Sequence, residues 1–69
     1  MIEVFKTNVA RTPEARAIVR ELRGHFPDAK VNFDLSDCDK ILRIEHPDVD
    51  VTKTVSLLVQ RGYQCEVIP

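Results

Sequence analysis

The sequence predicts an α+β domain of β-α-β-β-α-β order, with one four-stranded antiparallel sheet carrying two helices on a single face. Three observations predict it. Residues 2–6, 31–35, 40–45 and 63–68 alternate in polarity with the period of two that a half-buried strand requires. Residues 13–26 and 51–59 instead repeat apolar side chains at spacings of three and four, which puts them on one stripe of a helix. Proline, glycine or clustered small polar residues punctuate the segments between.

In the first strand Ile2 and Val4 share one face, and Glu3 and Phe5 share the other. Thr12-Pro13-Glu14 then reads as a helix entry: a capping hydroxyl, a proline whose missing N–H is not needed in the first turn, and an acid against the helix dipole. The helix is expected to start at Pro13. Ala15, Ile18, Val19, Leu22 and Phe26 form its apolar stripe, with Glu14, Arg16, Arg20, Glu21 and Arg23 on the wetted side and Gly24 and Pro27 ending it.

Val31, Phe33 and Leu35 alternate with Asn32, Asp34 and Ser36, and the turn Ser36-Asp37-Cys38-Asp39 follows. A hairpin centred on Asp37 and Cys38 pairs Phe33 with Leu42 and Val31 with Ile44 on one face. It pairs Asp34 with Ile41 and Asn32 with Arg43 on the other. A slip of one residue would destroy both sets, so the register is internally tested. Asp50 is placed to cap the second helix, whose stripe is Val51, Val55, Leu58 and Val59 and whose end is Gly62. In the last strand Tyr63, Cys65 and Val67 are expected inward, and Gln64, Glu66 and Ile68 outward.

Both helices bury their stripes together only if they lie on the same face of one sheet. Right-handed crossovers then favour strand order 4-1-3-2, a ferredoxin-like arrangement. In it the connections at 8–12, 36–39 and 61–64 gather at one end, while His25 and His46 fall at the other. A Cys and His zinc cluster is therefore not expected within one chain.

Sixty-nine residues hold one domain, spanning 1–69, close to the size where a core only just outweighs chain entropy. Apolar content of 43 % beside 30 % charged residues fits a folded chain rather than a disordered one. Ten Lys and Arg against eleven Asp and Glu give no general attraction to phosphate backbones or anionic lipid, so neither nucleic acid nor membrane is an expected partner. Without a basic segment leading into a long apolar run, a signal or membrane span has no support. A cytoplasmic location with two reduced cysteines is the expectation.

With Ile18 and Leu22 in helix one, the hairpin at 31–44, and Gly62-Tyr63 before the last strand, the chain resembles the heavy-metal-associated domains of copper chaperones and metal-transporting ATPases over almost its whole length. That family opens helix one with Gly-Met-x-Cys-x-x-Cys, and the resemblance implies metal carriage through those thiolates. Aligning Ile18 and Leu22 places Val9 at the methionine, Arg11 at the first cysteine and Glu14 at the second. Neither Arg11 nor Glu14 binds a soft ion as a thiolate does, so the site is degenerate, and neither a metal nor any other cofactor is expected.

No nucleophile and base pair, glycine-rich phosphate loop or metal triad is visible, which argues against an enzyme. Acylphosphatases share the strand order but carry a glycine-rich loop and an arginine that this chain lacks. RNA-recognition motifs stack bases on aromatics of strands one and three, where Phe5 stands alone. A protein-binding domain is the leading expectation, through Phe5, Ile41, Arg43 and Ile68 on the face without helices, by contact with a partner or a second copy. Edge strands two and four offer strand addition as another route.

The resemblance further implies that the loop end, with Asn8, Arg11, Glu14, Asp37, Cys38 and Tyr63, serves as a second contact surface. Within it Cys38 is a weak candidate metal or thiol site, in a dimer where two copies meet; its flanking acids make it a poor nucleophile. Lys6, Arg11 and Arg61 near the helix N-terminus offer an anion pocket. A small-ligand regulatory module of the ACT kind shares the topology and is the remaining alternative.

Overall fold

Four side chains, Phe33, Leu42, Phe5 and Val67, form one continuous row across the sheet, because Phe33 pairs with Leu42, Leu42 with Phe5, and Phe5 with Val67. The computed structural model describes all 69 residues. Its elements run β1 (Ile2–Thr7), α1 (Thr12–His25), β2 (Lys30–Asp34), β3 (Ile41–Glu45), α2 (Val51–Gln60) and β4 (Cys65–Ile68). Strand order is β2-β3-β1-β4, every neighbouring pair is antiparallel, and the hairpin register matches the sequence expectation at all four pairs. The fold is the ferredoxin-like α+β arrangement.

Beneath the helices, Phe5, Leu42 and Ile44 are fully buried with Val9, Ile18, Leu22 and Leu58, and Val31, Ala15, Phe26 and Ala29 complete the core. Each large side chain so buried contributes on the order of 1.5–3 kcal/mol. Phe5 thus belongs to the core and not to the partner surface where its alternation with Ile2 and Val4 had put it. The error has a physical reason. β1 carries an apolar residue in both phases, so alternation alone leaves its orientation open, and the pairing with Leu42 and Val67 decides it. Glu3 moves with Phe5 to the helix side, half-buried, and Ile2, Val4 and Lys6 face outward.

α1 begins at Thr12, one residue earlier than expected. Arg11, in extended conformation, is its N-cap without a side-chain bond, and its carbonyl accepts Ala15 N–H at 3.0 Å. Gly24 lies inside the last turn, in open space, and the helix closes where Phe26 N–H reaches the Leu22 carbonyl at 2.8 Å. α2 has the expected cap, with Asp50 Oδ1 accepting Lys53 N–H at 2.9 Å. Thr54 takes a place in the buried stripe because its hydroxyl donates to the Asp50 carbonyl at 2.9 Å, whereas Val59 is turned outward and 54 % exposed. Gly62 follows α2 with φ +91°, a left-handed conformation that lets Tyr63 N–H return to the Leu58 carbonyl at 3.0 Å. β4 starts at Cys65 rather than Tyr63, since residues 61–64 are used in this turn. No helix is long and apolar enough to cross a membrane.

Phe5→Ala is expected to cost about 3–5 kcal/mol, a large share of a small domain's stability. Ile68→Ser, one strand away on the opposite face, is expected to cost less than about 1 kcal/mol, the scale of one cross-strand pair. Urea denaturation of the two variants checks the phase of β1, and equal losses would contradict it.

Candidate functional site

Strand directions bring three loops together beyond the C-terminal end of β1, and polar side chains lace them. Thr7 is the hub. Its N–H donates to the Asp39 carbonyl at 3.0 Å, its hydroxyl donates to the Lys40 carbonyl at 2.6 Å, and that same oxygen accepts Val9 N–H at 3.2 Å. Asn8 Oδ1 accepts Gln64 N–H at 2.8 Å, and the Tyr63 hydroxyl donates to Glu14 Oε2 at 2.8 Å. Asn8, Arg11, Glu14, Asp37, Cys38 and Tyr63 therefore do occupy one end.

The positions where the family resemblance puts a methionine and two cysteines are committed to structure. Val9 is fully buried, Arg11 is the helix cap, and Glu14 is engaged by Tyr63. That bond, with some burial, raises the Tyr63 phenol above its ordinary value of 10.0. The three cations expected near an anion do not form a free cluster: Lys6 sits 3.6 Å from Asp39, and Arg61 Nε donates to Glu21 Oε1.

In the β2–β3 turn, ligand atoms of Asp37, Cys38 and Asp39 lie within 4.8 Å of one another. Both carboxylates already have partners, however. Asp37 Oδ1 accepts Asp39 N–H at 2.8 Å, and Asp39 faces Lys6. Lys40 closes the turn in a left-handed conformation, φ +46°, held by its N–H to the Asp37 carbonyl at 3.0 Å and its Nζ to the Leu35 carbonyl at 2.9 Å. Cys38 is exposed at the tip, whereas Cys65 is half-buried on β4 and its thiol is pushed up to about 11 by burial. Neither cysteine is in a disulfide.

At the opposite end His25 and His46 flank Phe26, with ring centroids 6.5 and 6.0 Å from it. His46 Nδ1 accepts Asp48 N–H at 3.1 Å, a local turn bond.

The sheet face without helices carries Ile2, Val4, Ile41 and Ile68, with Ile2 55 % and Ile68 38 % exposed. Val4 stands between Arg43 on β3 and Ile68 on β4, and Lys6 stands opposite Glu66. Ile41, Arg43 and Ile68 are where the sequence put them, and Ile2 and Val4 replace Phe5.

A further surface, which periodicity alone does not disclose, lies along the outer edge of β2. There α1 and β2 enclose a groove of about 670 Å³, floored by Ala15, Val19, Val31, Phe33 and Leu35 and rimmed by Arg16, Arg20 and Arg23. None of these arginines forms an ion pair, and no acid lines the groove. Their spacing of four and three residues marks a single helix face, a signal present in the sequence. The adjacency of the edge strand is what was lacking. Compared with protein-family models, curated proteins and solved structures, the chain gives no match.

Tyr63 is the only tyrosine and there is no tryptophan, so phenolate absorbance reads its titration directly. The midpoint is expected above 10.0 and should fall in Glu14→Gln. Because the folded value is raised, the Tyr63–Glu14 bond stabilises the loops below the ordinary phenol range and is lost as pH climbs through Tyr63's own titration. Thiol labelling in mildly alkaline buffer should be biphasic, fast at Cys38 and slow at Cys65, and uniform only after unfolding.

Proposed function

We propose that this chain is a small non-catalytic protein-binding domain in the cytoplasm, built on a heavy-metal-associated scaffold without that family's metal chemistry. The scaffold reading rests on element order together with Ile18, Leu22 and Gly62-Tyr63 in the family's positions. The loss of metal chemistry follows from the donor set. A soft ion needs paired thiolates at the head of α1, and an arginine cap and a hydrogen-bonded glutamate stand there instead.

The open sheet face carries the binding reading. Four aliphatic side chains, Ile2, Val4, Ile41 and Ile68, share one helix-free surface with Arg43, Lys6 and Glu66 among them. Clustered exposed apolar groups edged by charge are the usual mark of a contact surface, whereas single ones are ordinary. A flat sheet face with two-sided charge suits a second copy of itself, because Arg43 of one molecule can meet Glu66 of the other.

Sedimentation at millimolar concentration tests this. The wild type is expected to associate and Ile68→Asp, verified as folded by circular dichroism, to be monomeric. A monomeric wild type would reject self-association. The competing reading, residual metal or thiol chemistry at Cys38, is favoured by the convergence of Asp37, Cys38 and Asp39. Anaerobic titration with Cu(I) and Zn(II) separates the two: the wild type is expected to bind neither ion more tightly than Cys38→Ser does.

A further inference from the structure

The α1–β2 groove combines three properties. Its floor is apolar, its rim is cationic without counter-charge, and one wall is an edge strand. We propose that this groove binds an extended acidic peptide segment, which adds as a fifth strand to the outer edge of β2 and places its carboxylates on Arg16, Arg20 and Arg23. The proposal rests on the reading of the chain as a binding domain and adds to it the partner's chemistry.

Backbone geometry supports strand addition. β2 pairs only with β3, so alternate residues of Lys30–Asp34 point their N–H and C=O groups away from the sheet. No loop or terminal backbone group bonds to that edge. A segment pairing there would lie roughly 4.8 Å outside β2, with every second side chain directed toward α1.

The side-chain spacing also fits. Same-face residues of an extended segment recur every 6.5–7 Å or so, and helix positions four apart are separated by about 6 Å of rise. Acidic residues at alternate positions can therefore meet Arg16 and Arg20 in turn, while an aliphatic residue in the same register enters the floor at Val19, Phe33 and Leu35.

Charge complementarity selects the occupant. Three of the chain's ten cationic side chains line this one groove and none of its eleven acids does, although the net charge is −1. A nucleic acid would use the arginines but leave the apolar floor and the open strand edge unused. A peptide uses all three.

Panning the folded wild type against a phage-displayed library of random dodecapeptides tests the proposal. Enriched peptides are expected to carry Asp or Glu at alternating positions together with an aliphatic residue, and to weaken at high salt. Affinity, read by fluorescence anisotropy of the best synthetic peptide, should fall about tenfold or more in Arg16→Glu/Arg20→Glu, because two attractions become repulsions. Both arginines are exposed, so this variant should fold, as circular dichroism can verify. On binding, alternate β2 amides should gain protection from hydrogen exchange.

Enriched peptides whose affinity survives the double charge reversal, or protection appearing on β4 instead of β2, would overturn the groove while leaving a binding domain in place. A fluorescent uridine oligonucleotide bound more tightly than any peptide would overturn the choice of occupant. No enriched peptide, together with a monomeric wild type, would overturn this inference and the binding-domain reading at once.

Discussion

The row Phe33–Leu42–Phe5–Val67 is the constraint from which most of the molecule follows. Because those four residues must share one layer under the helices, the phase of every strand is set at once: a strand that turns one of them outward turns all its neighbours inward. Ile2, Val4, Lys6, Ile41, Arg43, Glu66 and Ile68 are consequently the outer face, whatever their individual preferences for water. The same row puts Phe33 on the helix side of β2, where it lines the groove between that strand and α1.

How far the sequence discloses this depends on how sharply each segment distinguishes its two faces. The hairpin was fully legible, since Val31, Phe33, Leu42 and Ile44 oppose Asn32, Asp34 and Arg43 with only Ile41 out of character. β1 was not, because Ile2 and Val4 compete with Phe5 for the inside, and a contact with β3 and β4 settles the matter. Helix α2 shows the converse. Val59 belongs to the apolar stripe by spacing and is nevertheless exposed, whereas Thr54 is buried, because its hydroxyl is satisfied by the Asp50 carbonyl.

The loop end was legible in its membership but not in its chemistry. Element order alone brings residues 8–12, 36–39 and 61–64 together, and the bonds from Thr7, Asn8 and Tyr63 confirm that meeting. Periodicity could not reveal that Glu14 is held by Tyr63, or that Lys6 and Arg61 are matched to Asp39 and Glu21. The result is an uneven electrostatic surface on a nearly neutral chain. Charges at the loop end are largely paired at short range, and those along α1 beside β2 are left with water.

Strand order also bears on how the chain reaches this structure. β1 precedes the other three strands in the chain, yet its two neighbours are β3 and β4, so none of its ladder bonds can form until residues 41–45 have appeared and half must wait for 65–68. Such distant pairings slow the search for the native topology relative to a helical bundle of equal length. The β2–β3 hairpin, fastened locally by the Asp37–Asp39 turn and Lys40, is the one sheet element able to assemble early, and β1 then enters as the piece that locks the halves together.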